Sequence, residues 1–242
     1  MRNIVSIIVS FILTFNLYPQ QQSNWQNFAD MKSTKDIIST NNGIWAASNG
    51  GAYFYDIVTN SFNIFSKSSG LNGTELTAVG IDSYGKVWFG SVNGMIDVYS
   101  PETNSFKSIL DIFNSDKISK QINDITISGD TVYVATDFGI SLIDSKSYFF
   151  YDTYFKFGTF TSNIKVNSII VSDLIYAATE LGIAIQKAGA TNLSAPESWN
   201  VYDQANGLPA GGGNVIIFYN GNLIAGTNSG LYSFNGTSWL PF

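Results

Sequence analysis

Short apolar runs broken by turn residues dominate the chain, and the apolar positions recur with a period of two rather than 3.6. The runs come in sets. One seven-residue pattern repeats: a bulky residue, two small or apolar residues, Ser or Thr, two variable residues, then Gly. It begins at Trp45, Trp88, Tyr133, Tyr176 and Ile224, so the copies lie 43, 45, 43 and 48 residues apart. In every copy the Ser/Thr (Ser48, Ser91, Thr136, Thr179, Thr227) stands three residues after the bulky residue and the Gly six after.

Around that pattern each unit reads as four short strands. An apolar run precedes it: Ile37-Ile38, Val79-Gly80-Ile81, Ile125-Thr126-Ile127, Ile169-Ile170-Val171 and Val215-Ile216-Ile217. A tight turn follows at Asn42-Gly43, Tyr84-Gly85, Gly129-Asp130, Asp173 or Asn220-Gly221. The bulky residue heads the second strand, and a third strand starts at the repeated Gly. A fourth opens on an aromatic residue: Phe62, Phe106, Tyr148, Trp199 or Trp239. Trp25 heads a similar strand with no unit before it. Sustained helical periodicity is absent, so no helix is expected after the leader. Four antiparallel strands per 40–50 residues predict an all-β fold, a β-propeller of about five four-stranded antiparallel blades. The arc is either a closed five-blade ring or part of a larger one. Small residues in the second strands (Ala46, Ala47, Ala135, Ala177, Ala178, Ala225) predict close blade packing.

The N-terminus follows a different pattern. Met1-Arg2-Asn3 precedes a predominantly apolar run of twelve residues, 4–15, and Pro19 with Gln20 to Gln22 ends the run. A positive start, a short apolar core and a polar exit predict a secretory signal peptide over 1–20, cut between Tyr18 and Ser23, with the repeat domain over 24–242. The apolar core is too short to span a bilayer, and no second run of spanning length follows. The expectation is an exported protein of the periplasm, the outer-membrane surface or the medium, with no transmembrane segment once the leader is removed.

Composition narrows the chemistry. Of the 242 residues 45 % are hydrophobic and only 12 % charged, so a substantial core can form. Cysteine and histidine are both absent, which removes disulfides, thiol nucleophiles, His-based triads and the usual zinc sites. The formal charge is −6, and the one arginine, Arg2, lies in the leader. Nucleic-acid binding needs clustered cations and is excluded. No carboxylate pair or Tyr/Lys base is singled out by spacing, so no catalytic residue, metal site or cofactor is assigned, and the expectation is a non-enzymatic binding module.

Three places remain for binding. The residues just before the innermost strands, Asp36, Ala78, Asp124, Ser168 and Asn214, would ring the mouth of a central channel, where Asp36 and Asp124 form a polar rim capping strand ends or could hold a cation. The segment 148–160, YFFYDTYFKFGTF, is dense in aromatics. Tyr154, Phe155, Phe157 and Phe160 are either an exposed patch for a protein or sugar, or inter-blade core with a self-packed loop. The inter-blade loops 66–74, 111–120, 152–165 and 203–213 are the third place, since binding residues tend to sit on loops held by a rigid scaffold.

WD, kelch and sialidase Asp-box signatures are absent; Asp82 stands one residue too far from Gly85 for an Asp-box. The series Ser69-Gly70-Leu71, then Leu76 to Asp82, Gly85 to Ser91, Gly94 and Thr103 to Phe106, resembles the two-component-regulator propeller repeat, and Asn206-Gly207-Leu208-Pro209 repeats its Gly-Leu linker. The resemblance covers residues 24–242. Two subgroups matter: periplasmic sensors of hybrid histidine kinases, which bind glycan fragments, and PorZ-type propellers of the type IX secretion machinery. Residues 152–158 and 166–183 read like the second. That subgroup implies a surface attachment complex with protein partners and contact with polysaccharide or anionic lipopolysaccharide. These families carry seven or more blades per ring, so five units lead to the expectation of a truncated reading frame.

Overall fold

The computed structural model describes residues 31–242; the expected leader and the Trp25 strand lie outside them. Twenty strands form five four-stranded antiparallel sheets. The first blade is β1 Thr34–Thr40, β2 Gly43–Ser48, β3 Gly51–Asp56 and β4 Ser61–Phe65. The second is β5 Leu76–Ile81, β6 Val87–Ser91, β7 Ile96–Ser100 and β8 Ser105–Ile109. The third is β9 Ile122–Ser128, β10 Thr131–Thr136, β11 Gly139–Asp144 and β12 Phe150–Tyr154. The fourth is β13 Val166–Val171, β14 Ile175–Thr179, β15 Gly182–Gln186 and β16 Trp199–Tyr202. The fifth is β17 Val215–Tyr219, β18 Asn222–Thr227, β19 Gly230–Phe234 and β20 Trp239–Pro241. Each sheet is ordered as its sequence, so every blade is a simple meander. Two details differ from the sequence reading. A four-residue helix α1, Asp111–Asn114, lies in the loop after blade 2, and β12 opens at Phe150 because Tyr148 takes φ +63° in the turn before it.

The inner strands pack in series, β1 on β5, β5 on β9, β9 on β13 and β13 on β17. Among the described residues no packing of that extent joins β17 to β1, so the blades form an open arc. The core lies between blades, not within them. Trp45 and Ala47 of blade 1 meet Val79 and Phe89 of blade 2; Trp88 meets Ile125 and Val134; Ala135 and Leu142 meet Ile169 and Trp199; Ile185 and Ala178 meet Ile216 and Trp239. A sheet is two-faced, and each blade can bury its two faces only against its neighbours. The small residues of the second strands, Ala46, Ala47, Ala135, Ala177, Ala178 and Ala225, are fully buried, as close blade approach requires.

The repeated Ser/Thr-x-x-Gly closes each central hairpin. The hydroxyls of Thr136, Thr179 and Thr227 donate to the carbonyls of Gly139, Gly182 and Gly230 at 2.9 Å, and that of Ser48 donates to Gly51 O at 2.7 Å. In blade 2 the turn is one residue longer, and Ser91 Oγ reaches Met95 O at 2.8 Å. The Gly is required by close approach: a Cβ on Gly139 would sit 2.2 Å from Tyr154 O, and one on Gly182 2.0 Å from Tyr202 O. Buried carboxylates fix other turns. Asp82 accepts from the amides of Tyr84 (2.9 Å) and Lys86 (3.0 Å) and from Trp88 Nε1 (2.9 Å). Asp97 accepts from the amides of Asn72 (3.0 Å) and Gly73 (2.7 Å), tying the linker of blade 1 to β7.

The buried hydroxyl bond should be separable from volume. Thr179→Val keeps the shape and leaves Gly182 O without its donor, which should cost about 1–3 kcal/mol in chemical denaturation. Gly182→Ala forces the outer strand away from the hairpin and should cost more. A Thr179→Val chain as stable as wild type would assign the repeat's hydroxyl no structural weight.

Candidate functional site

All inter-blade loops and all β2–β3-type turns emerge on one face of the arc, together with the entrances of the inner strands. Of the row expected at a channel mouth, Asp36, Ala78, Asp124 and Ser168 share one register position in their blades, and the fifth residue is displaced. Asp36 Oδ2 accepts from Val79 N in the next blade at 2.8 Å, and Asp124 Oδ2 accepts from Ile169 N at 2.8 Å. Ser168 Oγ faces Ile216 N at 3.5 Å. By the same spacing the fifth row position is Val215; Asn214 instead bonds Asn228 Oδ1 at 2.7 Å. β17 lacks the one-residue bulge that precedes the row in the other four blades, which is why sequence alignment by apolar run misplaced it. The bulged residue itself bridges blades: Thr77 Oγ1 donates to Ile122 O at 2.6 Å, Asn123 Nδ2 to Val166 O at 2.9 Å, and Asn167 Nδ2 to Gly213 O at 2.8 Å.

Asp36 and Asp124 therefore act as inter-blade caps. Asp36 spends its second oxygen on Ile37 N, also at 2.8 Å. Burial pushes both carboxyls above the usual range. For Asp124 the rise is from 3.8 to about 6, driven by desolvation, opposed by the Ile169 amide and augmented by the Asp36 charge. Among the described residues no group of three or more acidic side chains gathers as cation ligands.

The aromatic segment divides. Phe157 is fully buried and meets Trp199 edge-on at 4.8 Å; Tyr154 and Phe160 join the same core between blades 3 and 4. The surface reading therefore fails for these three, because their rings fill the junction that the linker crosses. Tyr148 and Phe150 pack against the neighbouring core, while Phe149 and Tyr151 face out. Of the four candidate aromatics Tyr154, Phe155, Phe157 and Phe160, Phe155, 46 % exposed, is the one at the surface of the loop face.

Phe155 borders a groove of about 320 Å³ lined by Asp116, Lys117, Ile118, Ser119, Asp137, Phe138 and Asn163. Lys117 Nζ lies 5.7 Å from the Phe155 ring centre and 5.6 Å from that of Phe138, and donates to Asn163 Oδ1 at 3.0 Å. Asn163 holds φ +56°, and its amide donates to Phe155 O at 2.7 Å, closing the loop beneath the exposed ring. Asp137 accepts from Asn123 Nδ2 at 3.0 Å and pairs with Lys165 at 3.7 Å. Ile118 stands fully exposed at the rim. Loops 111–120 and 152–165, with Asn163, and Phe155 were legible as candidates; the contribution of Phe138 was not, since only the fold brings the hairpin tip to the loops. Towards solvent the groove presents Ile118, the Lys117 ammonium and the Asp116 carboxylate, with the Phe155 ring at its border; Phe138 is buried and Asp137 is engaged. A larger depression of about 590 Å³ lies between the outer strands of blades 1 and 2, and it holds no carboxylate or amine.

Two measurements test these placements. Phe157→Ala should cost about 3–5 kcal/mol of stability, while Phe155→Ala should stay within about 1 kcal/mol of wild type. Comparable melting curves for the two variants would contradict the division. For Asp124, a folded-state value above the unfolded one means that the folded chain binds the proton more tightly. Its contribution is full below about pH 4, is lost as pH rises to about 6, and is flat beyond. At about 1.4 kcal/mol per tenfold in proton affinity the loss is at most about 3 kcal/mol, or ~1–2 after solvent screening. Asp124→Asn keeps an acceptor for Ile169 N, so it should remove that pH dependence and raise stability at pH 7.5 by ~1 kcal/mol; an unchanged pH profile would refute the assignment.

Comparison with known proteins agrees with this architecture. The family described as "TSS9, PorZ, N-terminal beta-propeller domain" matches residues 44–200. Among solved structures, PorZ of Porphyromonas gingivalis, described as an essential bacterial surface component of its type-IX secretion system, superposes with a TM-score of 0.72 at 21 % identity, over 89 % of this chain and 29 % of that one. The extracellular domain of a B. thetaiotaomicron protein described as a hybrid two component system superposes with a TM-score of 0.65 at 19 % identity, over 82 % of this chain and 26 % of that one. At these identities the likeness is one of fold, and the chain spans less than a third of either. No curated protein sequence matches the chain. The chain belongs to the family of PorZ N-terminal β-propeller domains of the type IX secretion system.

Proposed function

We propose that this chain is an exported, non-enzymatic binding module whose loop face docks a protein partner in a surface complex of the type IX secretion machinery. Family membership supports the machinery, and the apolar initial leader expected over 1–20 supports export. The observation that carries the binding role is the groove beside Phe155. It combines exposed Phe155 and Ile118 with Lys117, Asp116 and Asp137, on loops anchored to a rigid arc. A protein surface reads such a mixture well, because the rings supply contact area and the charges set orientation. Catalysis would need a nucleophile or acid–base pair, and the chain has no cysteine or histidine to provide the commonest ones. Of the loop-face carboxylates, Asp36 and Asp124 accept from backbone amides and Asp137 pairs with Lys165.

The test is affinity capture from fractionated envelopes. The wild-type chain should partition with periplasm or surface and recover subunits of the secretion machinery. Phe155→Ala and Ile118→Ala should each weaken that capture by ~2 kcal/mol, about 30-fold, with melting temperature nearly unchanged. Recovery of no secretion subunit defeats the proposal, and saturable binding of a soluble glycan at the same groove would favour a sensor role instead.

A further inference from the structure

Two seams of the arc place a pair of rings at the same point of the repeat, and only one of them lays a third ring on the pair. Between blades 1 and 2 the pair is Phe65 and Tyr99, 4.8 Å apart, and the Trp45 indole lies 5.4 Å from each. Between blades 4 and 5 it is Tyr202 and Phe234, also 4.8 Å apart. Phe65 and Tyr202 each stand three residues after the aromatic that opens a fourth strand. Tyr99 and Phe234 each pair with such an opener, Phe106 or Trp239.

Tyr176 is the counterpart of Trp45 in the repeat, but it turns to Phe218 and meets it edge-on at 5.2 Å. Its partner across the hairpin is Ile185, where that of Trp45 is Phe54. In place of the indole there is a cavity of about 320 Å³, with Tyr176, Ile185 and Tyr202 on the blade 4 wall and Phe218, Leu223 and Phe234 on the blade 5 wall. Both walls lie inside the arc, so neither of its ends forms the site. We propose that this cavity binds a small, uncharged, planar aromatic molecule of indole size. Its ring lies on Tyr202 and Phe234 as the Trp45 indole lies on Phe65 and Tyr99.

The lining selects this guest. No charged side chain borders the cavity, so a carboxylate, phosphate or ammonium would enter it without a counter-charge. The rings stand steeply to one another, at 71° for Tyr202 with Phe234 and 86° for Tyr176 with Phe218, which offers a flat guest both a face and an edge. Phe218 is 44 % exposed, and a guest in the cavity would cover it. The volume suits a small ligand, since pockets for small molecules begin at roughly 300 Å³. A protein anchor would need oriented charge around it, and the border supplies none, so the ring belongs to a free molecule. The cavity opens beside the turn at Gly221 and Asn222, on the side of the arc opposite the loop face, and is separate from the groove beside Phe155.

Calorimetric titration of the purified chain with indole tests this independently of any secretion partner. Wild type should bind indole saturably at one site, and Phe155→Ala should bind it equally well. Tyr202→Leu removes one ring of the pair and should weaken binding at least about tenfold. Tyr176→Trp combined with Ile185→Phe gives blade 4 the residues that blade 1 carries. It should fill the cavity and abolish binding, with a melting temperature no lower than that of wild type. Should the double variant fail to fold by circular dichroism, Tyr202→Leu carries the test. A wild type without saturable binding overturns the proposal, as does binding that the variants leave unchanged. Cyclohexanol or tetramethylammonium bound as tightly as indole overturns it in favour of a general apolar or a cationic guest. A tryptophan-bearing peptide bound more tightly than indole overturns it in favour of a polypeptide.

Discussion

Every part of this molecule depends on the apolar contact between one blade and the next. A four-stranded meander has two faces and no interior, and alone it would leave both in water. The sequence answers with a core placed at the junctions: bulky rings such as Trp45, Trp88 and Trp199 on one side of a seam, and small residues such as Ala47, Ala135 and Ala177 where the sheets come nearest. Shape alone does not set how far one blade slides along the next. The polar bridges at the inner strands do: Asp36 to Val79 N and Asp124 to Ile169 N in one direction, and Thr77, Asn123 and Asn167 to the next blade's carbonyls. A slip would break these directional bonds in partly buried surroundings, where an unmet amide is costly.

The junctions are unequal. Thirteen buried residues form the seam between blades 3 and 4, but only eight form the seam between blades 4 and 5. In a nearest-neighbour architecture that difference makes the end blade the first to open, and the middle of the arc the firmest platform. The groove beside Phe155 is built on that middle. The linker that crosses the thickest seam presents Phe155 and then buries Phe157 and Phe160, so the same segment both displays the ring and seals the core.

This double use explains how much of the protein was legible from its residues. Blade number, strand order and the hairpin-closing Ser/Thr and Gly could be read because they repeat in register, and repetition multiplies a weak local signal. The fate of 148–160 could not, because Tyr154, Phe155, Phe157 and Phe160 are chemically alike and only the path of the linker separates a buried ring from an exposed one. The row position in blade 5 was misread for a related reason: Val215 and Asn214 differ by one bulged residue, which apolar periodicity does not register. Likewise α1 at 111–114 is a single turn, too short to impose a 3.6-residue pattern. Phe138 and Asn163 lie 25 residues apart, and nothing local links them until blade 3 and the next linker bring them to one groove.

Composition then limits what such a groove can do. Without histidine, and with arginine confined to the expected leader, the proposed docking face has lysine as its cation, beside carboxylates and aromatic rings. Lysine is a flexible point charge without the planar fork that reads a carboxylate or phosphate in two places at once. Its placement here offsets that loss. Lys117 is held near the faces of Phe138 and Phe155 and bonded to Asn163, so its ammonium is positioned before any partner arrives. Fixing the cation in advance lowers the ordering cost of binding, and specificity can then come from the shape of the rings around it. Stiff seams, an exposed ring and one preset cation are the features on which the proposed recognition rests.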